Sequence, residues 1–244
     1  MKLFFYYTTV MSISQRTCII LSSTVFVNGS KQYISHVDPY SRKELYLKSI
    51  KNWLDNTTLN IVVVENSGYK FSELDEYLEK YSDRFEMILF KEDELEQKVF
   101  DEYDCRCLSL KDDYLYTSKG TSEMFCVCYV KDISRLAKKS DYIVKITARY
   151  FVPQFQTFLD NIPDEFQALR QNNADNCEIV GCHKDSFRAV FWPNNFQNFS
   201  GSYTHHIESM YKERIERIEK VVVCDQFEIE PTKQGGYDIV KTSL

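Results

Sequence analysis

Apolar positions in this chain fall into short continuous runs separated by polar stretches with helical periodicity, which predicts strands alternating with helices. Residues 17–27 (TCIILSSTVFV), 60–64 (NIVVV) and 85–90 (FEMILF) have strand length and almost no polar interruption. That is the pattern of strands buried on both faces. Asp38-Pro39 supplies an N-cap and a first-turn proline, and Tyr46, Ile50, Trp53 and Leu54 follow on one helical face. Ser72 and Asp75 form a capping-box pattern ahead of Leu74, Leu78 and Tyr81. A longer helix is predicted over about 122–139, with Phe125, Tyr129, Ile133 and Leu136 in line. It leads into a fourth strand within residues 140–153, SDYIVKITARYFVP. Such an order implies a mostly parallel sheet covered on both faces and joined by right-handed crossovers.

Two stretches break this rhythm. Residues 91–117 are highly charged and hold no clear period, so they read as a long loop. After Pro153 the character changes. Residues 155–170 read as a short helical region interrupted by Pro163, and 177–182 with 186–192 as a hairpin turning at His183-Lys184-Asp185. An amphipathic helix is expected over 205–220, a last strand over 221–230, and a turn at Gly235-Gly236. The domain reading is one unit over 1–244, with a ligand-binding half over 17–153 and a second half over 154–244.

Composition narrows the classes. A chain of 244 residues with 43% hydrophobic and 15% aromatic residues can bury a substantial core. Its net charge of -6, without a basic run, disfavours nucleic acid as the main partner. No apolar run approaches the roughly 18 residues that span a bilayer, and the N-terminal segment does not read as a signal peptide. Eight cysteines in a chain of this size suit buried thiols in a reducing, cytosol-like compartment rather than a secreted disulfide framework. The sequons at Asn28, Asn56 and Asn198 would matter only in a secretory lumen. Cys105-x-Cys107 and Cys126-x-Cys128 invite a zinc reading. The second pair, however, falls in a helix, where positions i and i+2 point apart.

The segment 140–153 carries the most chemistry. Lys145, Thr147 and Arg149 alternate with Tyr142, Val144, Ile146 and Ala148, giving the strand two different faces. Charges in a buried sheet need anionic partners, and ligands of open α/β folds bind at strand carboxyl ends. A phosphate-bearing ligand is one reading. An edge strand with solvated or paired charges is the other. The chain lacks the G-x-x-x-x-G-K-[ST], G-x-G-x-x-G, G-x-S-x-G and H-E-x-x-H signatures, which sets aside P-loop enzymes, dinucleotide dehydrogenases, common α/β hydrolases and zincins.

The ordered set IILSSTVFV, RKELYLKSIKNWL, NIVVVENSGY, SKGTSEMF and YIVKITARYFVP resembles the nucleotide-sugar-binding half of GT-A-type glycosyltransferases. It is similar to a group of viral and bacterial sugar-transferase-like proteins that pair a GKGxGE-like helix start with a K-[IL]-T-G-R-Y strand end. Here those read Ser118-Lys119-Gly120-Thr121-Ser122-Glu123 and Lys145-Ile146-Thr147-Ala148-Arg149-Tyr150. The resemblance covers roughly residues 17–153. It implies an α/β fold with a mostly parallel central sheet, helices on both faces and a smaller acceptor-side α+β portion. It also implies that Thr24, Val25 and Glu65 lie by the base or ribose and that Lys119 and Gly120 approach the ribose or diphosphate. Glu123 would turn toward the donor sugar, and Lys145, Thr147 and Arg149 would serve the phosphates. GT-A enzymes usually hold Mn²⁺ or Mg²⁺ with Asp-x-Asp after this strand. This chain has Thr147-Ala148-Arg149 there, which suggests that Arg149 or Lys145 neutralises the diphosphate directly, without a metal. Asp112-Asp113 and Glu92-Asp93-Glu94 are alternative metal carboxylates, although acidic runs are usually solvated.

On the acceptor side, Glu208, at the start of a helix with His205 and His206, and Asp185 are candidate bases, and Phe191-Trp192-Pro193 with Tyr203 could stack on a sugar or pack in the core. The expectation is a glycosyltransferase acting on a nucleotide-diphosphate-sugar donor and a hydroxyl acceptor. A non-catalytic nucleotide- or glycan-binding module and a metal-dependent nucleotidyltransferase are the alternatives. Oligomeric state is not legible.

Overall fold

The computed structural model describes residues 11–31, 34, 37–110, 118–163, 165–193, 206–234 and 239–244. The central run of apolar segments builds four parallel strands: β1 (Thr17–Ser23), β2 (Asn60–Glu65), β3 (Phe85–Leu89) and β4 (Tyr142–Thr147). Three more strands, β5 (Ala168–Arg170), β6 (Ile179–His183) and β7 (Val221–Val223), extend the same sheet in the order β3-β2-β1-β4-β6-β5-β7. Only β6 runs against its neighbours. The result is an α/β fold with a mostly parallel seven-stranded sheet.

Alternation along each strand explains the two cores. Cys18, Ile20, Val62, Val64 and Ile143 face one side. There they meet α4 (Lys119–Ile133), α5 (Arg135–Lys139), α7 (Phe187–Phe191) and α8 (Ile207–Ile215). Ile19, Leu21, Ile61, Val63, Tyr142, Val144 and Ile146 face the other, against α1 (Pro39–Asn56) and α6 (Phe155–Asp160). The residues that share no period in β1 are therefore all buried, as a central strand between two layers requires. No helix among the described residues is long and apolar enough to cross a membrane.

Local signals account for most boundaries. The Asp38 carboxylate accepts from the Ser41 amide at 2.8 Å, and Pro39 opens α1. The predicted 122–139 helix begins earlier, at Lys119, and is cut in two because Ser134 leaves α4 and its hydroxyl caps α5 at Ala137 N (3.0 Å). Ser72 opens a single 3-10 turn, and the helix α2 (Asp75–Lys80) has no side-chain cap. The charged stretch after residue 90 is not all loop. It contains α3 (Gln97–Asp101), with Phe100 and Tyr103 packed on Phe125 and Leu108 buried in the same cluster.

The second half departs further from expectation. Residues 186–192 form no hairpin strand: Phe187, Val190 and Phe191 sit at i, i+3 and i+4, a helical period, and form α7. The interval 155–170 holds α6 and then the three-residue β5, too short to show a period. The 221–230 strand is two strands. After β7 the chain leaves the sheet and makes β8 (Glu228–Lys233), which pairs antiparallel with β9 (Val240–Ser243). Gly235-Gly236 lies outside the described residues.

One glycine is dictated by packing. Gly181 of β6 lies opposite Val144 of β4, and a Cβ there would come 2.8 Å from Val144 Cγ2 and 3.1 Å from the Ile143 carbonyl oxygen. Neither can move without opening the ladder. Gly181→Ala is expected to destabilise the fold by about 1–3 kcal/mol, read as a fall of roughly 2–4 °C in Tm per kcal/mol for a chain of this size. An unchanged melting temperature would show that the sheet relaxes at no cost.

Candidate functional site

β1 and β4 are parallel neighbours from which the strand order runs outward in opposite directions, to β2 on one side and to β6 on the other, a topological switch point where α/β sheets bind ligands. A cleft of about 420 Å³ opens there. Ser22, Ser23 and Thr24 enter it from the end of β1, and Thr147 and Arg149 from the end of β4. Lys119, Gly120 and Glu123 come from the first turns of α4, and Glu208 from the first turn of α8. Ser118 caps α4, so the helix presents its amino-terminal end to the cleft.

The loop after β1 is braced rather than free. Glu65 ends β2 fully buried and accepts from the amides of Val25 (2.9 Å), Ser67 (3.0 Å) and Tyr69 (2.9 Å), and from the Ser67 hydroxyl. Burial pushes its carboxyl up from the usual range, and these donors hold it back. Glu65 and Val25 thus stand behind the cleft wall, where their polar groups are consumed by each other. Thr24 is at the surface of the cleft. Its hydroxyl donates to Asn66 Oδ1 (2.7 Å), and its carbonyl accepts from Arg42 Nε (2.7 Å).

Two guanidiniums share the α1 side. Arg42 is buried, donates to the Tyr46 hydroxyl at 2.7 Å, and has its pKa lowered by burial, with the neighbouring Arg149 adding to that and Tyr46 opposing it. Arg149 is half-buried. Its Nη1 reaches the Lys233 carbonyl at 3.4 Å, while its Nε is buried with no hydrogen-bond partner among the described residues. The turn that carries it is fixed from both sides. Ala148 is fully buried, and the Trp53 indole donates to the Tyr150 carbonyl at 2.9 Å. Sequence reasoning missed Arg42. The available signal was a cation near the amino terminus of a helix, where the dipole disfavours it.

Lys145 has a different setting from the one the sequence suggested. Its side chain is fully buried, with Nζ 2.6 Å from Glu123 Oε1 and 2.7 Å from the Cys177 carbonyl. Burial lowers its pKa, but Glu123 outweighs that and the net shift is upward. The ammonium is therefore matched inside the wall and not available to neutralise a diphosphate. Glu123 Oε2 accepts a long hydrogen bond from Ser22 Oγ (3.4 Å).

Glu92 overturns the expectation of a solvated acidic loop. It is buried in the cleft wall, accepting from Lys31 (3.1 Å), Ser122 (2.9 Å) and Asn66 (3.0 Å). Asp93 lines the cleft and accepts from Asn28, Glu94 is not in the lining but pairs with Lys91, which is, and Asp112-Asp113 lies outside the described residues.

Asp185 is not brought to the site. It follows β6, and because β6 runs against β4 its carboxyl end lies at the opposite edge, where Asp185 sits 3.3 Å from His183 Nδ1. Phe191 is core against Tyr211, and Trp192 donates to Asp104, away from the cleft. His206 is exposed at the cap of α8, and His205 and Tyr203 lie outside the described residues.

A divalent metal does not fit the strand end, where Thr147 and Arg149 stand in place of the two carboxylates, with a buried Ala148 between them. Among the described residues no three His, Cys, Asp or Glu side chains group as metal ligands. The Cys126 and Cys177 thiols in the wall are kept protonated by burial.

No family model matches the chain, and no curated protein does. Solved structures do. One is described as a nucleotide-diphospho-sugar transferase from Desulfovibrio desulfuricans (TM-score 0.44, 13% identity, covering 86% of this chain and 80% of that one). Another is a glycosyltransferase involved in glycosylation of the major capsid of PBCV-1 (TM-score 0.42, 12% identity, covering 85% and 81%). This chain is similar to both in overall arrangement.

Proposed function

We propose that the protein is a glycosyltransferase that moves a sugar from a nucleotide-diphosphate donor to an acceptor hydroxyl, without a metal on the diphosphate. The observation that carries this reading is the pair Arg42 and Arg149 at the switch-point cleft, with Arg149 Nε buried and without a hydrogen-bond partner among the described residues. Two neighbouring cations are a setting for a polyanion. The α4 amino terminus, with Lys119 and Gly120, faces the same space and favours negative charge.

In the reaction the acceptor oxygen attacks the anomeric carbon as the bond from that carbon to the phosphate oxygen breaks, its electron pair leaving with the diphosphate. Arg149 stabilises the charge that develops there. Glu208, which reaches the cleft from α8, takes the proton of the acceptor hydroxyl. Thr24 and the braced loop behind it position the nucleoside.

Incubating purified protein with nucleotide sugars and measuring released nucleoside diphosphate, with and without EDTA, tests the proposal. Turnover that survives EDTA is expected. Binding without turnover of any donor would leave a binding module, and abolition by EDTA would point to a metal-dependent transferase.

A further inference from the structure

The cleft lining runs from Arg149, which follows β4, across the end of β1 to Asp93, which follows β3. In the order β3-β2-β1-β4 those two strands are three intervals apart, about 14 Å at the usual spacing of neighbouring strands. That is the reach from the phosphates of a nucleotide, past its ribose, to its base. At the β3 end Phe26 enters the lining with its ring half exposed. The ring packs edge-to-face with Tyr69, centroids 5.8 Å apart, and the Phe26 amide donates to Ser67 Oγ at 2.9 Å. Asp93 accepts from Asn28 Nδ2, which lies 3.1 Å from Oδ2 and 3.4 Å from Oδ1. An antiparallel bridge between Ser67 and Lys91 joins the two chain segments, so ring and carboxylate stand on one frame.

The other polar groups of this end are engaged with one another. Glu92 accepts from Lys31, Ser122 and Asn66, and the Asn66 oxygen accepts from Thr24. Ser67 Oγ donates to Glu65 and accepts from the Val25 and Phe26 amides. Lys91 pairs with Glu94 at 2.7 Å, and a lysine donor would serve a carbonyl of guanine or of uracil alike. Selection here therefore rests on which groups donate and which accept, not on net charge.

We propose that this end of the cleft takes guanine, with Phe26 stacked on the base and Asp93 accepting from its N1–H and 2-amino group. The inference rests on the reading of the cleft as a nucleotide-sugar site and names the nucleotide. A carboxylate only accepts and offers about four acceptor sites, so Asp93 can take two further N–H donors beside the Asn28 amide. Among the common bases only guanine presents two adjacent donors on its pairing edge. Uracil sets one N–H between two carbonyls, and adenine and cytosine set a ring acceptor beside the amino group. Each of these turns a lone pair toward the carboxylate. Stacking on an aromatic ring combined with hydrogen bonds to the pairing edge is how an unpaired base is read.

Isothermal titration calorimetry on the full chain, with GDP, UDP, ADP and the inosine and xanthosine diphosphates IDP and XDP, separates the inference from the reading beneath it. GDP is expected to bind about tenfold or more tightly than UDP or ADP, and IDP, which lacks the 2-amino group, about threefold or more weakly than GDP. In D93N the side chain donates as well as accepts, which matches the 2-carbonyl of xanthine. GDP should lose about tenfold and XDP should gain on it until the preference reverses. Asp93 is exposed, so the variant should fold, and a gain for XDP is a result that a misfolded protein would not give. F26A should weaken every diphosphate that binds by about fivefold or more. UDP or ADP binding within about twofold of GDP, or a D93N variant that keeps the parent's preference for GDP over XDP, would overturn the guanine assignment. Unchanged binding in F26A would overturn the stacking. Failure of every diphosphate to bind would remove the nucleotide reading itself, and the inference with it.

Discussion

Arg149→Ala is expected to lower kcat/KM for a nucleotide-sugar donor by about 100- to 1,000-fold, the range for removing one preorganised group that meets developing charge. The setting supports an effect at this scale. Arg149 stands on a turn held by the buried Ala148 and by the Trp53–Tyr150 hydrogen bond, so its guanidinium is placed before any ligand arrives. Its Nε has no hydrogen-bond partner among the described residues to lose. Folding should survive the change, because the side chain is only half-buried and its departure relieves repulsion of Arg42. Arg149→Lys keeps the charge but not the planar fork, and should recover about tenfold of the loss. The measurement is kcat/KM together with the Kd of the bare diphosphate. A variant within about threefold of the parent in both would show that Arg149 does not meet the phosphates.

The parts of the fold that could be read from the sequence are those where one physical rule dominates. Parallel strands covered on both faces must be continuously apolar, which made β1, β2 and β4 plain. Asp38-Pro39 marked the start of α1 through capping chemistry alone. The errors cluster where two rules give the same local pattern. Phe187, Val190 and Phe191 are apolar enough for a short strand, and only their spacing, which matches a helix, separates the readings. β5 is three residues long and is a strand because β6 and β7 flank it. The site divides in the same way. Residues at a strand end or helix start, such as Thr24, Lys119, Gly120, Thr147 and Arg149, are placed by topology and were legible. Arg42 and Glu92 enter through tertiary contacts with Thr24, Asn66 and Ser122 that no local pattern announces. The partner of Lys145 lies on another element, so the sequence showed a charge in a buried strand without showing that it was already neutralised.

Glu123→Gln should have the largest effect on stability, about 3–5 kcal/mol, the range for breaking a buried ion pair by removing one member. The two partners are unequally exposed, and this decides which loss is worse. Lys145 is fully buried, so without Glu123 its ammonium keeps only the Cys177 carbonyl. Glu123 has about a fifth of its side chain exposed and borders the cleft, so without Lys145 water can reach it. Lys145→Met should therefore cost less than Glu123→Gln, and the double variant less than Glu123→Gln alone. The pH dependence gives an independent check. In the parent the Lys145 pKa is raised, so the pair's contribution is fully present below the unfolded lysine value near pH ~10.4 and is lost as pH rises through the folded value. In Glu123→Gln an unmatched buried ammonium has a depressed pKa, so the unfolded chain binds more protons at alkaline pH and stability rises with pH there instead. Chemical denaturation of parent and variants between neutral and alkaline pH reads both the size of the loss and the sign of the slope. Equal losses in the two single variants, with the same slope in each, would mean that Lys145 reaches water and that the buried pair is not what holds Glu123 in the cleft.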